Sequence, residues 1–352
     1  MLINSNTEWG KLKSVIVGNG FSGDLPNIEM SFKLFYHDNL YKGRSRGYEY
    51  GVDKISKEYV HEMSEDVEQF AKTLSNSGID VFRPKVPTKL PKVSTPAFSS
   101  TIHNALNVRD QAIIIGNNII ETPPCTRFRY FENDLMKHIF MEGSQDNGMW
   151  VQCPKPIMTD ASFDLSYLED DHITIDPHAM DVGFEMMWDG AQCMRLGRDI
   201  LFNCSNENHR MGLRWLQRYL GDSYTVHEMN VCDNHIDSSI IPLKPGVFLV
   251  DADKASKIYK QLPDKFKGWA FILSPDRIER TYSDKELKLA SSAIDINVLS
   301  LSEDLVVCEE RYLSKLAPEL KKHGIDTVGT PMRHSQLFSG SLHCLTLDLE
   351  RE

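Results

Sequence analysis

Cys344 lies eight residues before the end of the chain in SGSLHCLTLDLERE, beside His343 and just past the small residues Ser339, Gly340 and Ser341. A thiol so placed either packs as a small apolar group or serves as a nucleophile. The second role requires a base, a carboxylate to orient the base, and groups that hold the substrate. Candidates stand in three other stretches: His235 and Asp237 in NHIDSSIIPLKPG, Asp189 in MMWDGAQCMRLGRD, and Asp110 in NVRDQAIIIG. If HID is extended, Ile236 points away and its two polar neighbours share a face. Taken singly, each is ordinary: an Asp-Gly turn, a solvated aspartate ahead of a strand, a histidine in a loop. Together they suit a cationic planar substrate. A guanidinium presents five N–H donors in a fixed fork, which paired carboxylate oxygens match. Its carbon is a weak electrophile because the charge is delocalised, and a thiolate is the side chain best suited to attack it.

The elements that must bring these residues together follow from a repeat. An amphipathic helical run, a glycine, a short apolar strand and usually a proline recur five times, around Gly78, Gly148, Gly221, Gly268 and Gly324. The first copy places Val60, Met63, Val67, Phe70 and Leu74 at helical spacing, with Gly78 where a helix C-cap favours a left-handed residue. Between the copies lie strand-rich runs, KSVIVG, QAIIIGNNIIETP, RDILFN, GVFLVD and EDLVVCEE, the second carrying a two-residue hairpin signal. One helix and about three short strands cannot bury their own apolar face, so the units are expected to close into a ring with a shared core. A doubly wound parallel sheet fits less well, because it would not insert hairpins between strand and helix. In a ring, the loops after the five glycine-strand segments meet at one end. They carry Asp110, Asp189, His235 with Asp237, Ser291 with Ser292, and Cys344.

Composition bounds the rest. The 352 residues hold 41% hydrophobic and 25% charged side chains, as in an ordinary globular protein. Nothing divides residues 1–352 into linked parts, which predicts a single domain. The apolar run of about 18 residues that a membrane helix requires is absent, as is a signal-peptide stretch in MLINSNTEWGKLK. Seven cysteines without a CxxC pair argue against a disulfide framework and a zinc site, and predict a cytoplasmic protein. A formal charge of −11 disfavours nucleic acid and anionic membrane as partners and suits small cationic substrates.

WDGAQCMRLGRDILFN, HIDSSIIPLKPGVFLV, INVLSL and SGSLHC, in that order, resemble the motifs of the arginine-dependent amidinotransferases. The likeness extends through NTEWGKLKSVIVG, NVRDQAIIIGNNIIETP and PKPIMTD, and so covers nearly the whole chain. The resemblance implies an α/β fold, a five-fold pseudosymmetric propeller of ββαβ modules, in agreement with the five units. It makes Cys344 the residue that carries the amidino group, His235 the acid-base group and Asp189 its carboxylate partner. Asp110, Asp237 and Ser291 would then bind substrate. Two positions depart from the pattern of glycine amidinotransferase. Lys254 stands where that enzyme holds the amino acid carboxylate with an arginine, and Ala290 stands where a serine is expected. A lysine keeps the charge and loses the bidentate fork.

The implied reaction moves the amidino group of L-arginine to an acceptor amine and releases ornithine, with no cofactor and no metal. The looser grip of Lys254 favours lysine as acceptor over glycine or an aminocyclitol phosphate. GxxxxGK[ST] is absent, and GNGFSG at residues 18–23 lacks a following long helix and reads as a loop. Two other classes are weighed. A hydrolase of the same fold, such as arginine deiminase, would use a similar Cys, His and Asp set, but HIDSSIIPLKPG and GRDILFN favour transfer. A non-catalytic binding protein on this scaffold is disfavoured because every candidate reacting residue is present. The sequence leaves a homodimer open.

Overall fold

A computed structural model of the chain describes residues 1–19, 28–37, 40, 55–87, 89–168, 173–176, 181–282 and 286–352. Most of GNGFSG therefore lies outside the described residues. Five three-stranded sheets are built to one plan. Ala112–Ile115 pairs antiparallel with Asn118–Glu121, and after the helix Lys137–Asp146 the strand Met149–Gln152 returns parallel to it. The same order recurs in Cys193–Leu196, Asp199–Asn203, helix Glu207–Leu220 and Thr225–Met229. It recurs again in Ile240–Lys244, Val247–Val250, helix Ala255–Gln261 and Ala270–Leu273. The next copy is Leu299–Ser302, Leu305–Glu309, helix Glu310–Lys321 and Asp326–Thr330. The remaining sheet closes the ring. Its inner strand is the C-terminal Thr346–Arg351, which pairs antiparallel with Leu12–Val17, and Asp80–Phe82 returns parallel after the helix Lys57–Asn76.

Burial explains the radial order. The first strand of each sheet is buried on both faces, as in Ala112–Ile115 and Cys193–Leu196, whereas the third alternates or lies largely exposed, as in Met149–Gln152 and Asp80–Phe82. Strands enclosed on both sides read as continuous apolar runs, which is why AIII carries no polar position. Helices cover the outer strands. In Lys57–Asn76 the buried residues include Met63, Val67, Phe70 and Leu74, one stripe of the helix, and they pack with Val15, Val17, Leu299 and Val307 from two neighbouring sheets. The core is thus shared between units. The hairpin signal is met by Gly116 (φ +59°) and Asn117 between Ile115 and Asn118.

The repeat's glycines serve different ends. Gly78, Gly221 and Gly324 adopt positive φ as a helix end favours, but Gly148 does not. A side chain at Gly148 would begin 2.8 Å from the Gly143 carbonyl oxygen and 3.0 Å from Ile3, so close packing is the reason there. For Gly268 the structure shows neither reason.

One consequence decides the site. Every segment carrying a candidate residue, apart from Lys254 between Val247–Val250 and its helix, joins the outer strand of one sheet to the inner, axial strand of the next. Asp110 precedes Ala112, Asp189 precedes Cys193, Asp237 precedes Ile240, Ser291 precedes Leu299, and Cys344 precedes Thr346. Five connections therefore end on the axis at one face.

Candidate active site

Cys344 is 2% exposed, and its position is fixed from three sides. Its backbone N–H donates to Asn297 Oδ1 (3.0 Å), and its carbonyl accepts from the Arg109 N–H (3.2 Å). The turn before it is tight: Ser339 takes φ +55°, and Asn107 Nδ2 donates to the carbonyls of Phe338 (3.1 Å) and Ser339 (3.3 Å). Gly340 is required there, because a Cβ would lie 2.0 Å from Asn107 Oδ1. The sulfur faces Asp237 Oδ2 at 3.2 Å. Burial, then the charges of Asp237 and Asp110, push this thiol well above its usual range.

His235 sits between two carboxylates. Its Nε2 lies 3.0 Å from Asp189 Oδ2 and its Nδ1 3.5 Å from Asp110 Oδ1. Burial disfavours the charged ring, but Asp110, Asp189 and Asp237 together outweigh it and raise the imidazole to about 9. The stretch HID is not extended. His235 begins a short 3₁₀ turn, Ile236–Ser238, so the two polar side chains leave a turn, His235 toward Asp189 and Asp237 toward Cys344. The edge of the Phe35 ring abuts His235 at 5.2 Å, and Asn234 Nδ2 donates to the Phe35 carbonyl (2.5 Å). Glu29 caps the helix Met30–Phe35 that brings this ring in, and its carboxylate pairs with Arg127 at 2.8 Å.

Asp189 is held by its own turn: its N–H donates to Gln192 Oε1 (2.7 Å), while its Oδ1 accepts from the Cys125 N–H (3.3 Å). Burial works against its charge, yet the His235 hydrogen bond and charge keep it below the usual carboxylate range. Asp110 pairs through Oδ2 with Arg129, which also grips Glu132 with two bonds of 2.7 Å. Its other oxygen, Oδ1, is buried and, apart from the 3.5 Å approach of His235, has no hydrogen-bond partner among the described residues. Burial raises Asp110 above its ordinary value despite His235 and Arg129, and it raises Glu132 to about 7. Asp237 goes the other way: the hydrogen bond and charge of His343 overcome its burial and hold it low.

The structure thus gathers Cys344, His235, Asp189, Asp110 and Asp237 into one cluster. It does not bring Lys254 or Ser291 into contact with them. Lys254 Nζ donates to Ser239 Oγ (2.8 Å) and lies 3.9 Å from Asp251, beside the turn that carries Asp237. Ser291 is exposed, and its Oγ accepts from the Ala293 N–H (3.3 Å). Residues that sequence reasoning passed over include Asn107 and Asn297, which hold the nucleophile's loop, and Arg129, which pairs Asp110. Both asparagines stand inside the conspicuous stretches NVRD and INVLSL, one to three residues from a candidate or a strand, and that adjacency was the available signal.

Behind the cluster runs a second set of buried charges. Arg195 clamps Glu8 with bonds of 2.8 and 2.7 Å, and Asp348 accepts from Arg109 (2.8 Å), Arg195 (2.6 Å) and Arg351 (2.8 Å). Arg109 faces this set and its neighbour Asp110 faces the cluster, so one turn serves both.

No family model matches the chain. The L-arginine:L-lysine amidinotransferase of Pseudomonas savastanoi pv. phaseolicola is 30% identical over 99% of this chain and 94% of that protein. The mitochondrial glycine amidinotransferase of Xenopus tropicalis is 31% identical over 99% of this chain and 82% of its own length. Among solved structures, the inosamine-phosphate amidinotransferase of Streptomyces griseus superposes with a TM-score of 0.85 at 27% identity, covering 99% of this chain and 97% of that one. A ring of five ββαβ units, a buried thiol flanked by imidazole and carboxylates, and this likeness along the whole length lead to one assignment: the chain belongs to the amidinotransferase family, enzymes that transfer amidino groups.

Proposed function

We propose that the chain takes the amidino group of L-arginine onto Cys344 and passes it to an acceptor amine, releasing L-ornithine. The observation that carries this reading is the shortage of cations around the thiol. Among the described residues, four buried carboxylates, Asp110, Asp189, Asp237 and Glu132, face one guanidinium, Arg129, and two imidazoles, His235 and His343. Asp110 Oδ1, left without a hydrogen-bond partner among the described residues, offers an acceptor to an incoming N–H. A planar cation that donates to Asp110 beside the thiol supplies the missing charge.

The cation also prepares the nucleophile. The thiol is held neutral by burial and by Asp237 and Asp110, and a bound guanidinium offsets those charges, so the thiol releases its proton to solvent as the substrate is seated. The thiolate adds to the guanidinium carbon, forming a C–S bond. The bond from that carbon to the side-chain nitrogen then breaks, its electron pair stays on nitrogen, and His235, charged at neutral pH, donates the proton. Ornithine leaves and the amidino group stays on sulfur. In the second half the acceptor's neutral amine attacks the same carbon, His235 takes the proton, and the C–S bond breaks to restore the thiolate. Water in place of the amine would make the enzyme a hydrolase, so the cover by Phe35 serves transfer.

Lysine is our favoured acceptor. Lys254 stands beside the Asp237 turn, and its single ammonium holds an amino acid carboxylate without fixing its direction, which suits arginine, ornithine and lysine alike. Ser291, at its exposed turn, is assigned to substrate binding. A cytoplasmic setting would keep Cys344 reduced. The test is incubation with arginine and a panel of amines, lysine, glycine and an aminocyclitol phosphate among them. Ornithine release that depends on an acceptor, fastest with lysine, is expected; citrulline and ammonia without an acceptor would contradict transfer.

A further inference from the structure

His343 adjoins Cys344 in the chain but turns away from the reacting face, and the reaction proposed above makes no use of it. It is 2% exposed. Its Nδ1 lies 2.9 Å from Asp237 Oδ2, the same oxygen that the Cys344 sulfur faces at 3.2 Å. Its Nε2 lies 3.3 Å from Glu8 Oε2, and Glu8 is clamped by Arg195. Its carbonyl accepts from Arg109 Nε (2.8 Å), so the backbone is fixed as well. An ionised carboxylate only accepts hydrogen bonds, so at the shorter contact Nδ1 donates to Asp237.

The position of Asp237 poses a difficulty that His343 answers. A carboxylate oxygen 3.2 Å from the sulfur welcomes a thiol but opposes a thiolate, because the two negative charges repel in a buried site. A donor on that same oxygen lessens the opposition and keeps the carboxylate from following the thiol proton.

We infer that His343 is a positioning residue for amidino transfer: through Nδ1 it holds Asp237 and offsets its charge beside Cys344, while through Nε2 it is anchored to the arginine-paired Glu8. The assignment rests on Cys344 being the nucleophile, as proposed above. It links the buried ion pairs of the axis to the reacting sulfur through one imidazole.

Two substitutions separate the two contacts. In His343→Asn the side-chain amide nitrogen stands close to where Nδ1 stood, so the donor to Asp237 is kept and the link to Glu8 is lost. In His343→Gln the amide nitrogen stands nearer Nε2, so the reverse holds. The readout is the rate of Cys344 alkylation by iodoacetamide as a function of pH, located by peptide mass spectrometry, with KM and kcat for arginine and lysine alongside. Alkylation follows the thiolate and needs no substrate. The Asn variant should stay within about threefold of the parent, whereas the Gln variant should fall about tenfold or more, the equivalent of one unit in the thiol's titration, with its alkylation profile moved to higher pH. The loss in the Gln variant should appear in kcat more than in KM. Equal losses in the two variants, a greater loss in Asn, or a Gln variant like the parent would overturn the inference. Should the Gln variant fail to fold, the Asn variant decides: a loss of about tenfold or more there overturns it and near-parental alkylation upholds it. A parent that alkylates normally yet never accepts an amidino group from arginine would defeat the proposed function, and the alkylation comparison would still judge His343.

Discussion

Two buried charge clusters lie back to back on the axis of this ring, and they are composed differently. In the rear cluster three guanidinium groups, Arg109, Arg195 and Arg351, serve two carboxylates, Glu8 and Asp348, at 2.6–2.8 Å, with one longer contact of 3.5 Å. In the front cluster, among the described residues, four carboxylates share Arg129, His235 and His343, and the thiol of Cys344 stands among them. The rear cluster joins the N-terminal segment, the Arg109 turn, the inner strand Cys193–Leu196 and the C-terminal strand, so it ties the closure of the ring. Carboxylates fully matched by guanidinium groups suit that task, since a buried negative charge without a partner is costly. The front cluster is left short of positive charge where a cationic substrate would enter. The comparison teaches that charge incompleteness, rather than charge itself, marks the site.

The largest effects should come from breaking the rear cluster. Arg351→Met leaves Asp348 less compensated and should cost about 3–5 kcal/mol of stability, read by urea denaturation at neutral pH. Turnover per folded molecule should change far less than in a front-cluster variant. A stable protein with turnover lost would reverse the roles of the two clusters.

In the front cluster the order inverts. Asp189→Asn should lower turnover on the order of a hundredfold, because the His235 tautomer and the grip on the cation are both disturbed. Its denaturation midpoint should move far less than that of Arg351→Met. Combined with His235→Ala the losses should not add, since the two act as a unit. Normal turnover in Asp189→Asn would remove this pair from the reaction.

A smaller effect sharpens the comparison through pH. His235 is raised in the folded protein to about 9 from an ordinary value of 6.5, so its stabilising contribution is complete below about 6.5 and fades as pH rises through 9. Glu132, raised to about 7, contributes a loss with the same sign, but its window closes near 7. Stability should therefore fall further above pH 7, and the part of this slope that precedes the titration of the buried cysteines should flatten in His235→Ala. The first half-reaction should weaken over the same upper range as the acid is lost. A flat stability profile from 7 to 9 in the parent would contradict the placement of His235 between its carboxylates.

Much of this was legible in the sequence, for reasons that particular residues make plain. A ring must bury both faces of its inner strands, and AIII and the apolar stripe from Met63 to Leu74 report that directly. Because each connection ends on the axis, the order of polar residues before inner strands was enough to assemble Cys344, His235, Asp189, Asp110 and Asp237. The rear cluster was not legible, because an arginine or glutamate paired in the interior has the same letters as one in solvent. Asn107 and Asn297 were missed because their work is to hold backbone, which no residue type advertises. Whether HID is extended or turned is not legible from its residues, because Ile236 can be buried in either geometry.

The smallest expected effect concerns Lys254, which the structure sets beside the Asp237 turn rather than in the cluster. Lys254→Met should raise the apparent constants for arginine and for lysine together, by about tenfold or less for a single, partly buried charge, with a smaller change for a diamine that lacks a carboxylate. Equal changes for lysine, glycine and the diamine would detach Lys254 from carboxylate binding.

The central claim, that the front cluster exists to load an amidino group onto Cys344, is tested most directly by mass spectrometry. The parent protein is mixed with arginine in the absence of any acceptor amine, quenched within a single turnover, and measured intact and after peptide digestion. One amidino group on the peptide carrying Cys344, matched by one equivalent of ornithine and discharged on adding lysine, is the predicted result; an unmodified Cys344, or the group on one of the other six cysteines, would contradict it.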